Sequence, residues 1–364
     1  VAKMKIQRRE LLKMGAIASV AAPQIANASA EKAITKIAWG SCANQDKEQK
    51  IWDAISERNP ELFLFIGDNI YADTRDPQIM AQKYQKLANI PEFKKFRAKT
   101  SFLTIWDDHD YGENDAGADY PMKEESRRQF CDFWDIPKDS PRRTREDGIY
   151  TSQIMGPNGK RVQVILPDLR YNRTPIKKLD LGGKDYHAWA KEYYDAGKEV
   201  PGPYDRISDD AASMLGKKQW DWLEGELKKP ADIRIMATSL QYVADFAGWE
   251  GWINYYHDHQ KLLESIRKYR ANGLFCISGD THYGEISKLD TNVPYPIWDF
   301  TSSGITEVWP VTPPNSRRIG SVYRDRNFGF IEIDWNKGAV LIQICAENGD
   351  VKLEQKLALS SLRV

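Results

Sequence analysis

The chain has 364 residues, 41% of them hydrophobic and 29% charged. That excludes a disordered or fibrous chain and leaves a globular α/β protein with a large core. Lysines and arginines match aspartates and glutamates at 52 each, so no basic field recruits nucleic acid and no acidic field repels phosphate.

KIQRRELLK (5–13), the mildly apolar MGAIASVAAPQIA and the small-residue ending ANASA at Ala30 together read as a signal peptide over residues 1–30. The apolar part is too short to span a bilayer. Arg8 and Arg9, followed by Leu11, Leu12 and Lys13, resemble a twin-arginine export signal. The expected partner is the twin-arginine export machinery, and the expected location is periplasmic or secreted. The mature chain, one domain over 31–364, then holds 47 basic and 51 acidic residues, and no transmembrane segment is expected in it.

From there apolar runs alternate with helical patterns. KIAWGSC (36–42) leads to a helix near 46–58, and ELFLFIGD (61–68) to a second helical stretch. SFLTIWDDHD (101–110) precedes a helix at about 121–135, and RVQVILPDLR (161–170) precedes a polar stretch over 171–207. That stretch lacks clean periodicity and reads as a loop excursion over the active site. A helix is predicted at 208–228 before Pro230, a strand at 233–241 and a helix near 257–271. GLFCISGDTHY, PIWDFTSSG, FGFIEIDW and AVLIQICAE then give four strand signals. Alternation early and consecutive strands late predict two mixed sheets packed together, with helices on both outer sides. Cys42, Cys131, Cys276 and Cys345 would allow two disulfides, although Cys276 and Cys345 lie in strand-like runs where buried thiols are commoner.

Four of the runs end alike, in residues able to hold metal: GSC (40–42), GDNIY (67–71), WDDHD (106–110) and SGDTHY (278–283). In open α/β sheets ligands bind beyond the carboxyl ends of the strands. If these strands are neighbours, Cys42, Asp68, Tyr71, Asp108, Asp280 and His282 converge. Unpaired, so many acids could not stay ionised together, and multivalent cations remove that difficulty. Only His109 and His282 of the five histidines fall in these segments. Carboxylates suit hard cations, and a thiolate with a phenolate points to trivalent iron, while Mn²⁺ or Zn²⁺ stay open.

GDNIY, WDDHDYG and SGDTHY, in that order after GSC, resemble the PhoD-like alkaline phosphatase D family, a branch of the metallophosphoesterases related to purple acid phosphatases. LPDLRYNR (166–173), LGKKQWDWLEGEL (215–227) and the SLQY to GWEGWINYYHDHQKLL region (239–263) extend the resemblance over nearly the whole chain. It implies a four-layer α/β/β/α sandwich. It also implies Fe³⁺ held by Cys42, Asp68, Tyr71 and a residue of the GDTH segment, with Asp68 bridging to Ca²⁺, one or two calcium ions in all. Asp108 stands where related enzymes place the Asn of their GNH motif, and Asp280 and His282 stand at the positions of the final GHxH histidines. Which of Asp107, Asp108 and Asn114 touches metal stays open.

The expected activity is hydrolysis of phosphodiesters, phosphomonoesters or both, by metal-acidified hydroxide attacking phosphorus in line. His109 is the expected donor to the leaving oxygen, Asp68 the bridging acid, and Arg170 or Arg173 the phosphate-binding fork. The expected substrate is a small phosphate ester, a phospholipid or a cell-wall polymer. The alternatives are a phospholipase D-like phosphodiesterase and a non-catalytic extracytoplasmic metal- or phosphate-binding protein.

Overall fold

A computed structural model describes residues 32–364. The expected signal peptide lies outside the described residues. Two six-stranded mixed sheets form the frame. Across the first run the strands Val351–Ala358, Ala339–Ala346, Asn327–Asp334, Lys36–Gly40, Leu62–Ile66 and Ser101–Ile105. The last three are parallel and the rest antiparallel. Across the second run Gly284–Leu289, Ile297–Ser302, Leu274–Ser278, Ile233–Ala237, Val162–Leu166 and Thr151–Met155. Its four central strands are parallel and its two edges antiparallel.

LFLFI, VQVIL, IRIMA and LFCIS are buried at every residue, as expected of parallel strands covered on both faces. Trp52, on the helix Ile51–Glu57, meets Phe63 and Phe65 edge-on and so covers the outer face of the first sheet. On the second sheet Gln163 donates to the Glu226 carbonyl of the helix Gly216–Leu227. The sheets meet face to face: Ser302 donates to Asn327, and the Gly284 backbone lies against Ile344. The four-layer arrangement is the expected one.

Several boundaries differ from the sequence reading. The helix expected from 208 starts at Gly216. The Asp258 carboxylate, from the helix Tyr256–Tyr269, accepts the Met214 and Leu215 N–H groups and holds the preceding turn out of the helix. The excursion at 171–207 is not all loop. It contains the helix Tyr186–Asp195, capped by Asp185, and a short ribbon pairing Lys177–Lys178 with Tyr204–Asp205. Strands Thr151–Met155, Gly284–Leu289 and Val351–Ala358 are additional to the expected ones; all three are sheet edges, and the first and last are mostly not buried, which leaves a weak apolar pattern.

All four cysteines are buried and free, without a disulfide among them. Among the described residues no helix is long and apolar enough to cross a membrane.

Candidate metal centre

Strands Lys36–Gly40, Leu62–Ile66, Ser101–Ile105 and Leu274–Ser278 end on one side of the molecule, and the chain turns sharply after each. Cys42, Asp68, Asp280 and His282 all take left-handed backbone conformations, at φ 62°, 46°, 68° and 62°. Each non-glycine residue held there costs on the order of 1 kcal/mol or more, and such strain gathers at functional sites. Gly67, at φ 113°, lets the turn close, since a Cβ there would lie 2.7 Å from Cβ of Asp107.

The turns bring the donor atoms together in linked groups. Ligand atoms of Cys42, Asp68 and His282 lie within 4.8 Å of one another, and so do those of Asp68, Asp108 and His109. Two further groups are Asp107, Asp108 and Asp280, and Asp108, Asp115 and Glu250. Tyr71 joins the first group: its hydroxyl is 3.2 Å from Asp68 Oδ2 and 3.1 Å from His282 Nε2. Cys42 Sγ is 3.3 Å from the same Asp68 oxygen. All six residues expected to converge therefore do so. Asp68 and Asp108 each stand in more than one group, which suits two neighbouring cations sharing a carboxylate.

The electrostatics make the same demand. Burial pushes the Cys42 thiol, the Tyr71 phenol and the Asp68 and Asp280 carboxyls well above their ordinary values, and neighbouring acids add to the rise. Burial holds His282 down at about 4, a neutral imidazole able to ligate. Asp68 is 1% exposed, and its Oδ1 has no hydrogen-bond partner. A buried carboxylate oxygen left unmatched is costly, and a multivalent cation is the partner that both satisfies it and keeps the acids ionised. The residues fit metal.

The crowded segment WDDHDYGEND divides by function. Asp110 accepts the N–H groups of Asp107 and Asn69 and is a structural bracket. Asp107 receives Ser239 Oγ at 2.8 Å and the Arg170 Nε, which turns one of its oxygens toward the frame. Asp108 accepts the Asp115 N–H at 2.7 Å. Burial would raise Asp108, but Arg170 and His109 outweigh it and hold the carboxyl low, so it stays ionised. His109 Nδ1 sits 2.8 and 2.9 Å from the two Asp73 oxygens. Burial alone would lower this imidazole, yet Asp108, Asp68 and Asp73 together raise it well above its ordinary value.

Arg170 and Arg173 are not where a substrate fork would be. Both are buried, at 0% and 1% exposure. Arg170 pairs with Asp107, with Glu250 at 2.8 Å and with Asp108 at 3.5 Å, while Arg173 pairs with Glu250. Carboxylates pair with both guanidinium groups and neither side chain lines the cavity, so the expectation of direct phosphate contact is corrected to a supporting network.

Asp73, Asp115 and Glu250 escaped the sequence reading. Asp73 lies five residues beyond Asp68 in the same turn, a signal that was available. Glu250 sits within GWEGW, and its partners Arg170 and Arg173 come from a distant segment. A cavity of about 240 Å³ opens over the cluster, lined on one side by Tyr71, Asp108, His109, Asp280 and His282.

A family model for PhoD-like phosphatases matches residues 37–349. Among curated proteins no sequence match is found. Among solved structures, one of PhoD superposes with a TM-score of 0.70 at 13% identity, over 92% of this chain and 72% of that one. The purple acid phosphatase PPD1 from yellow lupin (Lupinus luteus) seeds gives 0.57 at 13%, over 90% of this chain and 54% of that one. A dimetal phosphatase from Danio rerio gives 0.51 at 11%, over 90% and 100%. At these identities the structures speak for the fold alone.

Proposed function

The chain belongs to the PhoD-like phosphatase family, a metal-dependent phosphoric ester hydrolase by membership, and we propose that its centre hydrolyses phosphodiesters, phosphomonoesters or both with one iron and at least one calcium ion. The observation that carries the site assignment is Asp68: one buried carboxylate shared between two groups of donors, with an oxygen left unmatched.

In this reading Cys42, Asp68, Tyr71 and His282 would hold Fe³⁺, because thiolate and phenolate donors favour a trivalent ion. Asp68, Asp108 and Asp280 would hold the harder Ca²⁺. Bound there, the ions supply Lewis acidity toward phosphoryl oxygen and acidify water to a nucleophile at moderate pH. Every other part belongs to the chain. His109, charged and held by Asp73, donates to the leaving oxygen or to the charge growing on phosphorus. Arg170 fixes Asp107 and Asp108 relative to each other. No serine or threonine nucleophile is required.

Asp73→Asn keeps the size of the side chain but removes the charge that orients His109 and helps favour its protonated form. The expected result is a fall in kcat of about 10- to 100-fold with KM little changed. Steady-state kinetics on a diester reads it, and an unchanged kcat would detach Asp73 from the chemistry.

Metal analysis of protein purified without added metal, combined with assays on bis-p-nitrophenyl phosphate and p-nitrophenyl phosphate, tests the whole reading. Iron with calcium, a visible charge-transfer band and activity lost to a chelator are expected. Absence of turnover with every metal supplied would favour a binding protein instead. Export by the twin-arginine route to the periplasm or medium accompanies the proposal and rests on the sequence of residues 1–30.

A further inference from the structure

Besides the metal-facing residues, the cavity has an aromatic wall built by three segments outside the ligand motifs. The excursion supplies Tyr186 and Tyr204, the stretch after strand Ile233–Ala237 supplies Phe246 and Trp249, and the loop after strand Ile297–Ser302 supplies Trp309 and Pro313. These rings hold one another edge-on: Tyr186 lies 5.4 Å from Trp249, and Trp249 lies 6.2 Å from Trp309. Behind them Ala190, Val200 and Val311 form a small apolar cluster separate from the main core, with Trp249 and Trp309 packed on it. The wall is also tied to the metal centre, since the Trp309 N–H donates to the His282 carbonyl at 3.1 Å. An aromatic surface is thus set at a fixed position beside the phosphoryl site.

The charges of the lining matter as much. Among the described residues no lysine or arginine lines this cavity; its acidic side chains are Asp108, Asp115, Glu250 and Asp280, beside a charged His109 and a neutral His282. The guanidinium groups of Arg170 and Arg173 are buried and paired with Asp107 and Glu250, and that of Arg318, which donates to the Pro313 carbonyl, is paired with Glu285. A polyanionic chain entering here would find the metal cations for one phosphate and then a lining whose other charged side chains are mainly acidic. A flat uncharged ring, by contrast, gains apolar burial and edge or face contacts with the aromatic wall. The volume of about 240 Å³ accommodates it, given that a cavity of ~150 Å³ holds benzene.

We propose that this wall is a slot for an uncharged planar ring, so that the preferred substrates are phosphoesters bearing an aryl or heteroaryl group and not polyanionic polymers. The substrate assignment rests on the phosphoesterase reading above, whereas the slot itself is tested by binding alone.

The probes are phenylphosphonate and methylphosphonate, bound to the metal-loaded protein and followed by titration calorimetry. Wild type should bind the phenyl compound roughly ten- to a hundredfold more tightly, the range expected from burying one ring. Trp249→Leu and Trp309→Leu should reduce the ratio to within about threefold, and Trp249→Phe, which keeps a ring, should retain most of it. A wild-type ratio near one, or a ratio that both leucine variants leave intact, overturns the slot. So does a soluble poly(glycerol phosphate) that competes better than glycerol 3-phosphate. Turnover of bis-p-nitrophenyl phosphate without any ring preference defeats the slot and leaves the phosphoesterase reading standing. Ring preference that depends on Trp249, in a protein that turns over no ester, does the reverse.

Discussion

Asp68→Asn should lower kcat/KM on any phosphoester by at least about a thousandfold, beyond the loss of a single transition-state donor, because one substitution weakens two cation sites together. The amide is nearly isosteric, and asparagine tolerates the left-handed φ of 46° found at this position. Misfolding is therefore not the expected cause. Asparagine presents one neutral oxygen where the carboxylate presents two charged ones, of which Oδ2 faces Cys42 and Tyr71 and Oδ1 is unmatched. Metal content should fall with activity, measured by elemental analysis of the purified variant.

Stability should move in opposite directions with and without metal. Burial lifts the Asp68 carboxyl well above its ordinary value, and Asp108, Asp107 and Asp110 add to that rise against the pull of His109. In metal-free protein the ionised form is therefore penalised, and removing the charge should raise the denaturation midpoint. In metal-loaded protein the same change removes a ligand and should lower it. Equal shifts of one sign in both states would show that Asp68 is a packing residue, and retained activity would sink the bridging assignment.

How much of this could be read from the sequence depends on how local each cause is. The strand ends were legible because apolar runs of about five residues stop abruptly at GSC, GDNIY, WDDHD and SGDTHY. The convergence of Cys42, Asp68, Tyr71, Asp108, Asp280 and His282 then required only that parallel strands place their carboxyl ends on one side. Roles within WDDHDYGEND were less accessible. Asp110 is a bracket because it accepts two N–H groups, one of them from Asn69 on a neighbouring turn. The arginines were misassigned for a similar reason. A guanidinium next to an active-site motif suits phosphate or carboxylate equally well, and its partner Asp107 lies 63 residues away in the chain. The helix Tyr186–Asp195 was missed although Asp185 is a good cap. Its stabilising contacts come from Trp249 and the small cluster at Val200 and Val311, so its own periodicity is weak.

Arg170→Met should destabilise the fold by about 3–5 kcal/mol, the usual cost of leaving buried charge uncompensated. Arg170 is fully buried and meets Asp107, Asp108 and Glu250, each at most 3% exposed at the side chain. Burial pushes Asp107 up to about 6, with Arg170 opposing the rise. Methionine fills much of the volume but supplies no charge, so three acids would share Arg173 alone. Urea denaturation of metal-free protein reads the change directly. Arg170→Lys should fall between the two, since an ammonium keeps the charge and loses the fork that reaches three carboxylates. Adding Asp107→Asn to Arg170→Met should recover part of the loss, because one of the stranded acids is then neutral. A substrate-binding arginine predicts the opposite pattern: KM rises, the midpoint stays within about 0.5 kcal/mol of wild type, and Asp107→Asn rescues nothing. The burial and the ion pairs favour the first pattern, in which Arg170 acts on the reaction only by fixing Asp107 and Asp108 in place.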